Sequence, residues 1–252
     1  MLLEFKVSRA IDLKIALEPL TNLARTATII NSSNEVTLLG TILDCHAIAI
    51  LQISSTEVDH FLFHEGDVAG FDLVMLNRYL HFFSNGNLPV TLSVVEDDGG
   101  KLTAMMPNIG FTPYTSLSMG LIQPNPQHVN FLNRERIYDV TVRIRTAKFR
   151  AIIMDMARTR RSVDSTIVVT VQKTHVTFRI TGVIRILRHC HECVIEGDTG
   201  DNPISLEFHV DHLVSIGKAI SLSEMVWIYG SYSLLPMLRC RVPPSEISYY
   251  FV

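Results

Sequence analysis

The densest group of side chains able to do chemistry is His189-Cys190-His191-Glu192-Cys193. Cysteine thiolates and imidazoles are the ligands that Zn²⁺ prefers in proteins. On a strand, His189, His191 and Cys193 would share one face. The spacing is tighter than in the usual paired ligands of zinc sites, and no second pair lies near in sequence. We therefore expect no metal site here, but a β-hairpin arm with polar side chains.

Motifs of the common enzyme classes are missing from the rest of the sequence. It contains no Gly-rich phosphate loop of the P-loop or Rossmann type, no nucleophile elbow and no zinc-protease helix. Asp97-Asp98-Gly99-Gly100 has the composition of a turn between two strands rather than of a metal-binding pair. We therefore expect no catalytic residues, no cofactor and no enzymatic activity.

Length and composition predict a well-packed globular protein. The 252 residues are 47% hydrophobic and 19% charged, enough for a sizeable core in one large domain or two smaller ones. No long apolar window without charge occurs, and the N-terminus lacks a basic region followed by an apolar run, so we expect neither a membrane span nor a signal peptide. The four cysteines are then expected to be reduced thiols.

Positive charge is concentrated in one stretch of the chain. Residues 134–188 contain 13 Lys and Arg against 4 Asp and Glu, whereas the remaining residues contain 9 basic and 21 acidic side chains. The whole chain is nearly neutral, with a formal net charge of −3. One cationic segment in a near-neutral protein indicates a surface that meets a polyanion, although an ordinary uneven surface charge has the same signature.

Short β-type runs alternate with a few helical windows. Two hairpins are predicted where β-branched runs flank a turn, Thr26–Ile30 with Glu35–Leu39 and Ser165–Val171 with Val176–Ile180. A window with apolar residues at helical spacing precedes each hairpin. These apolar residues are Leu13, Ala16, Leu17 and Leu20 in the first window and Phe149, Ile152, Ile153 and Met156 in the second.

Each half then continues with a second helical window and a strand. The windows are Phe71–Leu80 and Phe208–Ile216, and the strands are Leu88–Val95 and Met225–Tyr229. Corresponding elements lie about 140 residues apart, and such self-similarity predicts two copies of one structural unit.

The segment Met119–His128 separates the two copies. Its two prolines and few β-forming residues predict an extended linker. We therefore divide the chain into an N-terminal domain (1–118), a connecting linker (119–136) and a C-terminal domain (137–252). The predicted class is α+β, with two similar domains.

Two such units within 252 residues resemble the sliding clamps, and most closely the proliferating cell nuclear antigen family of DNA polymerase processivity factors. The resemblance covers essentially the whole chain and depends on the order and spacing of four stretches. These stretches are Leu3–Leu20, Gly70–Leu80, Phe149–Gly182 and Pro236–Val252.

The resemblance implies the DNA clamp fold, in which each domain has an antiparallel sheet outside and two helices on the inner face. It also implies a homotrimeric ring that a clamp loader opens, that encircles double-stranded DNA without reading its sequence, and that tethers DNA polymerase and other replication and repair enzymes through short peptides. The implied location is the nucleus or a viral replication compartment. Phosphate attraction is long-range and independent of sequence, as a sliding tether requires.

The polar sides of the four helical windows are the expected DNA-facing surface. Arg78 and Lys218 match DNA-facing lysines of the family, whereas the first window has Ile15 and Thr21 where cations are expected. The candidate DNA-facing residues are Lys14, Arg78, His81, Arg150, Arg158 and Lys218, and Arg160 and Arg161 follow the third window.

A groove for partner peptides is implied between the linker and the C-terminal segment, with residues 121–128 as one wall. It suits a peptide with one aliphatic and two aromatic anchors. The same residues alternatively form the core around the last strand. The candidates are His46, Ile48, Leu121, Leu235, Pro236, Tyr250 and Phe251.

Subunit contact is expected at sheet edges, since pairing across subunits removes unpaired strand edges. Phe111–Leu117 and Val176–Ile180 are the predicted edge strands, and the proline in the first is tolerated at an edge. Their interface candidates are Tyr114, Ser116, Val176, Phe178 and Ile180. Lys173 matches the lysine that the family uses as a ubiquitin or SUMO acceptor, and is otherwise an exposed turn residue.

Two alternative functions share this fold. The low lysine content of the first helix is compatible with a checkpoint-type clamp subunit that works inside a heterotrimer. The divergence of the sequence fits a viral processivity factor that serves its own polymerase.

Overall fold

The computed structural model describes residues 3–21, 24–32, 34–42, 47–64, 68–83, 88–95, 100–107, 114–132, 136–159, 165–200, 202–242 and 245–251. It is a mixed α+β protein in which the paired strands are mostly antiparallel. The chain divides into two compact units. The first unit comprises residues 1–43, 49–134 and 242–247, and the second comprises 44–48, 135–241 and 248–252.

The two halves of the chain repeat one order of elements: strand, helix, five strands, helix and three strands in the described residues. The first half forms β1 (Leu3–Val7), α1 (Ala10–Thr21), β2 (Thr26–Asn31), β3 (Glu35–Ile42), β4 (Ala47–Ser54), a 3₁₀ turn (Ser55–Glu57), β5 (His60–Phe63), β6 (Val68–Asp72), α2 (Leu73–Phe83), β7 (Val90–Val95), β8 (Lys101–Pro107), β9 (Tyr114–Gly120) and α3 (Pro126–Leu132). The second half forms β10 (Val140–Arg145), α4 (Thr146–Thr159), β11 (Thr166–Val171), β12 (His175–Ile180), β13 (Val183–Arg188), β14 (Cys193–Gly197), β15 (Ile204–His209), α5 (Val210–Ser215), α6 (Gly217–Ile220), β16 (Met225–Gly230), β17 (Met237–Val242) and β18 (Ser245–Phe251). The predicted duplication of elements is thus confirmed.

In the first unit, one sheet has the strand order β5-β1-β7-β8-β9, and all its neighbours are antiparallel. A second run of strands has the order β4-β3-β2-β6. Helices α1 and α2 pack against each other. The core contains Leu13, Leu17 and Leu20 of α1 together with Phe5 and Phe71, all fully buried, as the helical spacing of the leucines predicted.

In the second unit, one sheet has the order β13-β12-β11-β15 and another run of strands has the order β14-β10-β16-β17. The 248–251 part of β18 lies beside β17, where Phe251 N–H donates to Pro236 O at 3.1 Å. Phe149 of α4 meets Phe178 of β12 edge to face, with ring centroids 6.2 Å apart. Helices α4 and α5 pack together.

Both predicted hairpins are confirmed. β2 pairs antiparallel with β3, with Thr28 opposite Leu39, and β11 pairs antiparallel with β12, with Val169 opposite Phe178. The predicted starts of the second helical windows are wrong by two residues, because Phe71 and Asp72 lie in β6 and Phe208 and His209 lie in β15. Met75 N–H donates to Asp72 Oδ1 at 2.8 Å, so Asp72 caps α2 at its true start.

The predicted extended linker is wrong in part, since it contains the helix α3 with Pro126 at its first position, where proline loses no helical hydrogen bond. Before this helix the segment pairs with the first unit. Ile122 N–H donates to Gly70 O at 2.8 Å, and a Cβ at Gly70 would come within 2.7 Å of Ile122 O. Glycine therefore permits this close approach.

In the described part of the chain, no helix has the length and apolar character needed to cross a membrane.

Candidate nucleic-acid and partner-binding surfaces

Helix α4 presents the most cationic helix face of the second unit. Its apolar residues repeat at helical spacing and are buried, so the opposite side must face solvent. Arg150 and Arg158 lie on that exposed side. Among the described residues neither forms an ion pair, whereas Lys148 pairs with Glu192 at 2.8 Å and Asp155 pairs with Arg185. Two uncompensated guanidinium groups therefore remain available on one helix face.

The same face also carries apolar side chains. Met154 and Val214 are exposed beside a groove of about 130 Å³ that lies between α4 and the α5–α6 segment. Arg150 lines this groove. This surface therefore combines cationic and apolar side chains, a combination that the sequence did not predict.

In the first unit, the predicted cations lie together on α1 and α2. Lys14 Nζ is 3.2 Å from His81 Nδ1, a hydrogen bond that joins the two helices. Arg78 is exposed on α2, one turn before His81. On α1, however, the exposed charged residue is Glu18, so this helix adds little positive charge, as predicted.

Three of the predicted cations lie wholly or partly outside the described residues. Arg160 and Arg161 lie outside the described residues, and so does the side chain of Lys218, whose backbone belongs to α6. They remain predictions.

The two aromatic residues near the C-terminus point to opposite sides of β18, as alternation along a strand requires. Phe251 is 5% exposed and meets Phe208 edge to face at 5.1 Å, with His212 stacked at 6.5 Å. Tyr250 is instead covered by the guanidinium of Arg136, 5.0 Å from its ring centre. Phe251 therefore belongs to the core, as the alternative interpretation held, and Tyr250, at 8% exposure, is also buried and lies beneath Arg136.

A small aromatic cluster covers the buried Tyr250 in the second unit. Tyr138 O–H donates to Leu235 O at 3.2 Å, and the Tyr138 ring lies 5.5 Å from Tyr229. Burial, helped by the neighbouring Tyr250, raises the pKa of Tyr138 to about 12. Leu235 is 37% exposed beside this cluster. We call Arg136, Tyr138, Leu235 and Tyr250 the aromatic patch.

The remaining groove candidates are distributed over both units. Pro236 and Ile48 are half-buried in the second unit, and His46 lies outside the described residues. Leu121 belongs to the first unit, where its N–H donates to Gly100 O at 3.1 Å. The linker wall that the resemblance implies therefore stays a prediction.

The prediction that Val176–Ile180 is an edge strand is wrong. β12 lies between β11 and β13 and pairs with both, and Val176, Phe178 and Ile180 are core residues with at most 3% exposure. The edge strands of this sheet are β13 and β15, and β13 carries Ile184 and Ile186 at 56% and 53% exposure. Gly182 at φ 81° makes the tight turn that adds this further strand.

The other predicted edge is compatible with the structure. β9 is the last strand of its sheet and pairs only with β8 among the described strands. Tyr114 and Ser116 are exposed on it, and Tyr114 is 66% exposed. Residues 111–113 lie outside the described residues.

Lys173 is exposed in the turn between β11 and β12, as expected. Its Nζ lies 3.8 Å from Asp198 Oδ1, and both side chains are largely in solvent. Such a pair contributes little stability. Because the Lys173 side chain is exposed, its amine is accessible from solvent.

The His/Cys segment forms a turn rather than a strand. Residues 190–192 lie between β13 and β14, so the predicted sharing of one strand face is wrong. His189 Nδ1 accepts the N–H of Ile195 at 3.0 Å, and Cys193 Sγ donates to Leu187 O at 3.7 Å. Across the described residues, no group of three or more His, Cys, Asp or Glu is arranged to hold a metal ion.

His128 is a buried polar residue that the sequence did not single out. It is 3% exposed in α3, with Nδ1 at 2.8 Å from Thr28 Oγ1 and Nε2 at 2.5 Å from Thr41 Oγ1. These bonds attach the linker helix to the strands of the first unit. Burial lowers the pKa of this imidazole.

Comparison of the chain with protein-family models gives no match, and comparison with curated proteins gives no significant one.

Proposed function

We propose that this protein is a sliding clamp: a non-catalytic ring, built from three copies, that encircles double-stranded DNA and tethers a DNA polymerase and other clamp-binding proteins. In this proposal a clamp loader opens the ring, in the nucleus or in a viral replication compartment. The observation that carries the proposal is the duplicated unit in which a pair of packed helices presents exposed cations. Sequence-independent attraction to phosphates needs only such a surface.

The exposed edges support the ring. A free edge strand is an aggregation hazard unless another chain pairs with it. β9 in the first unit and β13 in the second each have one unpaired side among the described strands. Pairing β9 of one copy with β13 of the next would satisfy both edges, and repetition of this contact closes a ring if the rotation allows it.

The charge distribution supports the DNA contact. Arg150 and Arg158 are not neutralised by any described carboxylate, while the cations toward β13 are. Exposed arginines that protein groups do not pair are free to displace counterions from phosphates.

Reversing these two arginines tests the DNA contact. We expect the R150E/R158E variant to bind duplex DNA at least tenfold more weakly at low salt. We also expect the slope of log K against log salt concentration to become less steep by about 0.9 for each phosphate that the variant no longer neutralises. Fluorescence anisotropy with a labelled duplex over a salt series measures both quantities.

The matched control is R143E/R179E, which changes the net charge by the same amount. Arg143 and Arg179 are exposed on the strand faces opposite Ile144 and Phe178, away from α4. Equal loss of binding in the two variants would show that net charge, not the helix face, governs DNA binding.

The aromatic patch is the proposed anchor for partner peptides. We expect Leu235→Glu to weaken binding of a synthetic peptide with one aliphatic and two aromatic anchors by about tenfold or more, because a carboxylate replaces an apolar contact. Isothermal titration calorimetry measures the affinity. Leu222→Glu, at a leucine 44% exposed elsewhere in the second unit, should bind normally. Unchanged affinity of Leu235→Glu would remove the patch from the peptide site.

A further inference from the structure

The turn between β13 and β14 holds two cysteines that the tethering function does not use. Cys190 N–H donates to Cys193 O at 2.9 Å, so the backbones of the two residues are in contact across the turn. Standard bond lengths then limit the separation of the two Cα atoms to at most about 6.8 Å. A disulfide needs a Cα separation of about 4.4–6.8 Å, so the backbone of the turn is compatible with one.

The turn holds Cys190 in a conformation that favours glycine or asparagine. Its φ is 65°, in the left-handed region, where a side chain costs energy and persists only if its surroundings fix it. They do so here: His189 N–H donates to Thr174 O at 2.9 Å and Glu192 N–H donates to Arg188 O at 3.0 Å.

The carboxylate of Glu192 fixes the turn further. It accepts hydrogen bonds from Arg188 N–H at 3.2 Å and from Lys148 Nζ at 2.8 Å on α4. The backbone that separates the two cysteines is therefore held from both ends of the turn, and their separation is set before any chemistry occurs.

The two thiols have different environments. Cys190 is exposed, whereas Cys193 is 4% exposed and its Sγ donates to Leu187 O. Burial, with smaller contributions from Glu192 and Cys190, raises the pKa of the Cys193 thiol to about 11. Because a thiolate is the nucleophile in disulfide exchange, the exposed Cys190 is the residue that meets an oxidant first.

We propose that Cys190 and Cys193 are a redox-active pair that forms a reversible intramolecular disulfide with a small disulfide oxidant, such as oxidised glutathione. The Cys190 thiolate attacks one sulfur of the oxidant, its S–S bond breaks, and one glutathione leaves as a thiolate. Cys193 then loses its proton and attacks Cys190 Sγ, which releases the second glutathione. Two thiol protons are lost, one S–S bond forms, and two electrons reduce the oxidant to two thiols.

The disulfide also changes the end of β13. Cys193 Sγ can no longer donate to the carbonyl oxygen of Leu187, the residue before the last one of this edge strand. Oxidation therefore alters the backbone at the end of the strand that carries Ile184 and Ile186.

The test is oxidation of the full chain in buffers with graded ratios of reduced to oxidised glutathione, followed by alkylation and mass spectrometry. In the wild type we expect the intact mass to fall by two hydrogen atoms and the alkylation of Cys190 and Cys193 to be lost together. A peptide map should show one cross-linked species that contains both residues. Excess reduced glutathione should restore both thiols.

Three variants make the result specific. The C45S/C240A variant retains only the proposed pair and should oxidise as the wild type does. Cys193→Ala should stop at one glutathionyl group on Cys190, and Cys190→Ser should be oxidised at least tenfold less than the wild type. Circular dichroism confirms that each variant is folded.

Two results would overturn the proposal. One is a wild type that accumulates a stable glutathionyl adduct on Cys190 without closing the disulfide. The other is a disulfide that contains Cys45 or Cys240 in place of either residue. Either result shows that the turn does not bring the two sulfurs together.

Discussion

Replacing Ile184 and Ile186 by aspartate is expected to reduce the solution mass of the protein from about 85 kDa to that of a single 28.4 kDa chain. Both side chains are more than half exposed on β13, an edge strand. In the proposed ring they are buried where β13 meets β9 of the next copy. The substitution adds two negative charges to a contact that apolar burial stabilises.

The magnitude follows from the area that the isoleucines would lose on association. Full burial of one isoleucine contributes about 1.5–3 kcal/mol. Since Ile184 and Ile186 have only about half of their surface left to bury, the two together contribute about 1.5–3 kcal/mol per contact. Each 1.4 kcal/mol is about tenfold in an association constant. Association should therefore weaken by about 10- to 10²-fold from the lost burial alone, and the cost of desolvating two carboxylates adds to this factor.

Light scattering over a dilution series measures the mass of both proteins. The control is L62D/I137D, which places the same charges at exposed aliphatic residues of the edge strand β5 and of the segment before β10. That variant should keep the wild-type mass. A trimer that survives I184D/I186D would exclude β13 from the contact, and a monomeric wild type would favour the subunit of a mixed ring.

Local patterns predicted the elements of this fold well. The hairpins of β2 with β3 and of β11 with β12 have β-branched runs on both sides of a polar turn, and such signals act within a few residues. Helices α1 and α4 are each indicated by four apolar residues at helical spacing, all of them buried.

Hydrophobic patterns misplaced the start of a helix where one apolar residue fits both the strand period and the helix period. Phe71 and Phe208 are apolar residues at the start of a helical pattern, yet each pairs in a strand, opposite Ala27 and Ile167. At Phe71 the sequence does hold the correcting signal, since Asp72 is a favourable N-cap residue. In the second unit the residue before α5 is His209, whose side chain makes no capping hydrogen bond.

The interface prediction failed for a non-local reason. Whether a strand lies at an edge depends on its partner on the far side, which alternation along the strand does not encode. β12 has the ideal alternation of a half-buried strand, with Val176, Phe178 and Ile180 inward. Those residues are apolar because they form the core under α4, not because they meet another subunit.

Identification of the candidate binding surfaces depended even more on tertiary structure. The sequence placed Arg150 and Arg158 on one helix, but only the structure shows that Lys148 and Asp155 are occupied by partners toward β13 and its turn. His128 carries no sequence signal, because its two threonine partners lie about 90 to 100 residues away in the chain.

His128→Ala is expected to lower the free energy of unfolding of the first unit by about 2–4 kcal/mol. The substitution removes the hydrogen bonds to Thr28 and Thr41 and leaves a cavity in a site that is 3% exposed. A buried polar group left without a partner costs about 1–3 kcal/mol, and the lost side-chain volume adds to this cost. Urea denaturation and amide hydrogen exchange at β2 and α3 measure the effect.

The same residue should make stability depend on pH. The amide Nδ2 of Asn125 lies 3.4 Å from His128 Nε2, which favours the neutral tautomer that accepts at Nε2 and donates from Nδ1 to Thr28. Burial lowers the pKa of His128 in the folded protein. Just below the ordinary histidine pKa of about 6.5, the imidazole is therefore protonated in the unfolded chain but not in the folded one. Stability should therefore be complete above about pH 6.5 and fall as the pH decreases, by at most about 1.4 kcal/mol per pH unit.

His128→Gln separates the hydrogen bonds from the titration. Its amide keeps one donor and one acceptor, so it should recover part of the stability that His128→Ala loses. Neither variant can take up a proton at this position, so each should lack the His128 contribution to the loss of stability between about pH 6.5 and about pH 5. A wild type and a His128→Gln variant with equal pH slopes would show that this imidazole does not control the stability of the linker attachment.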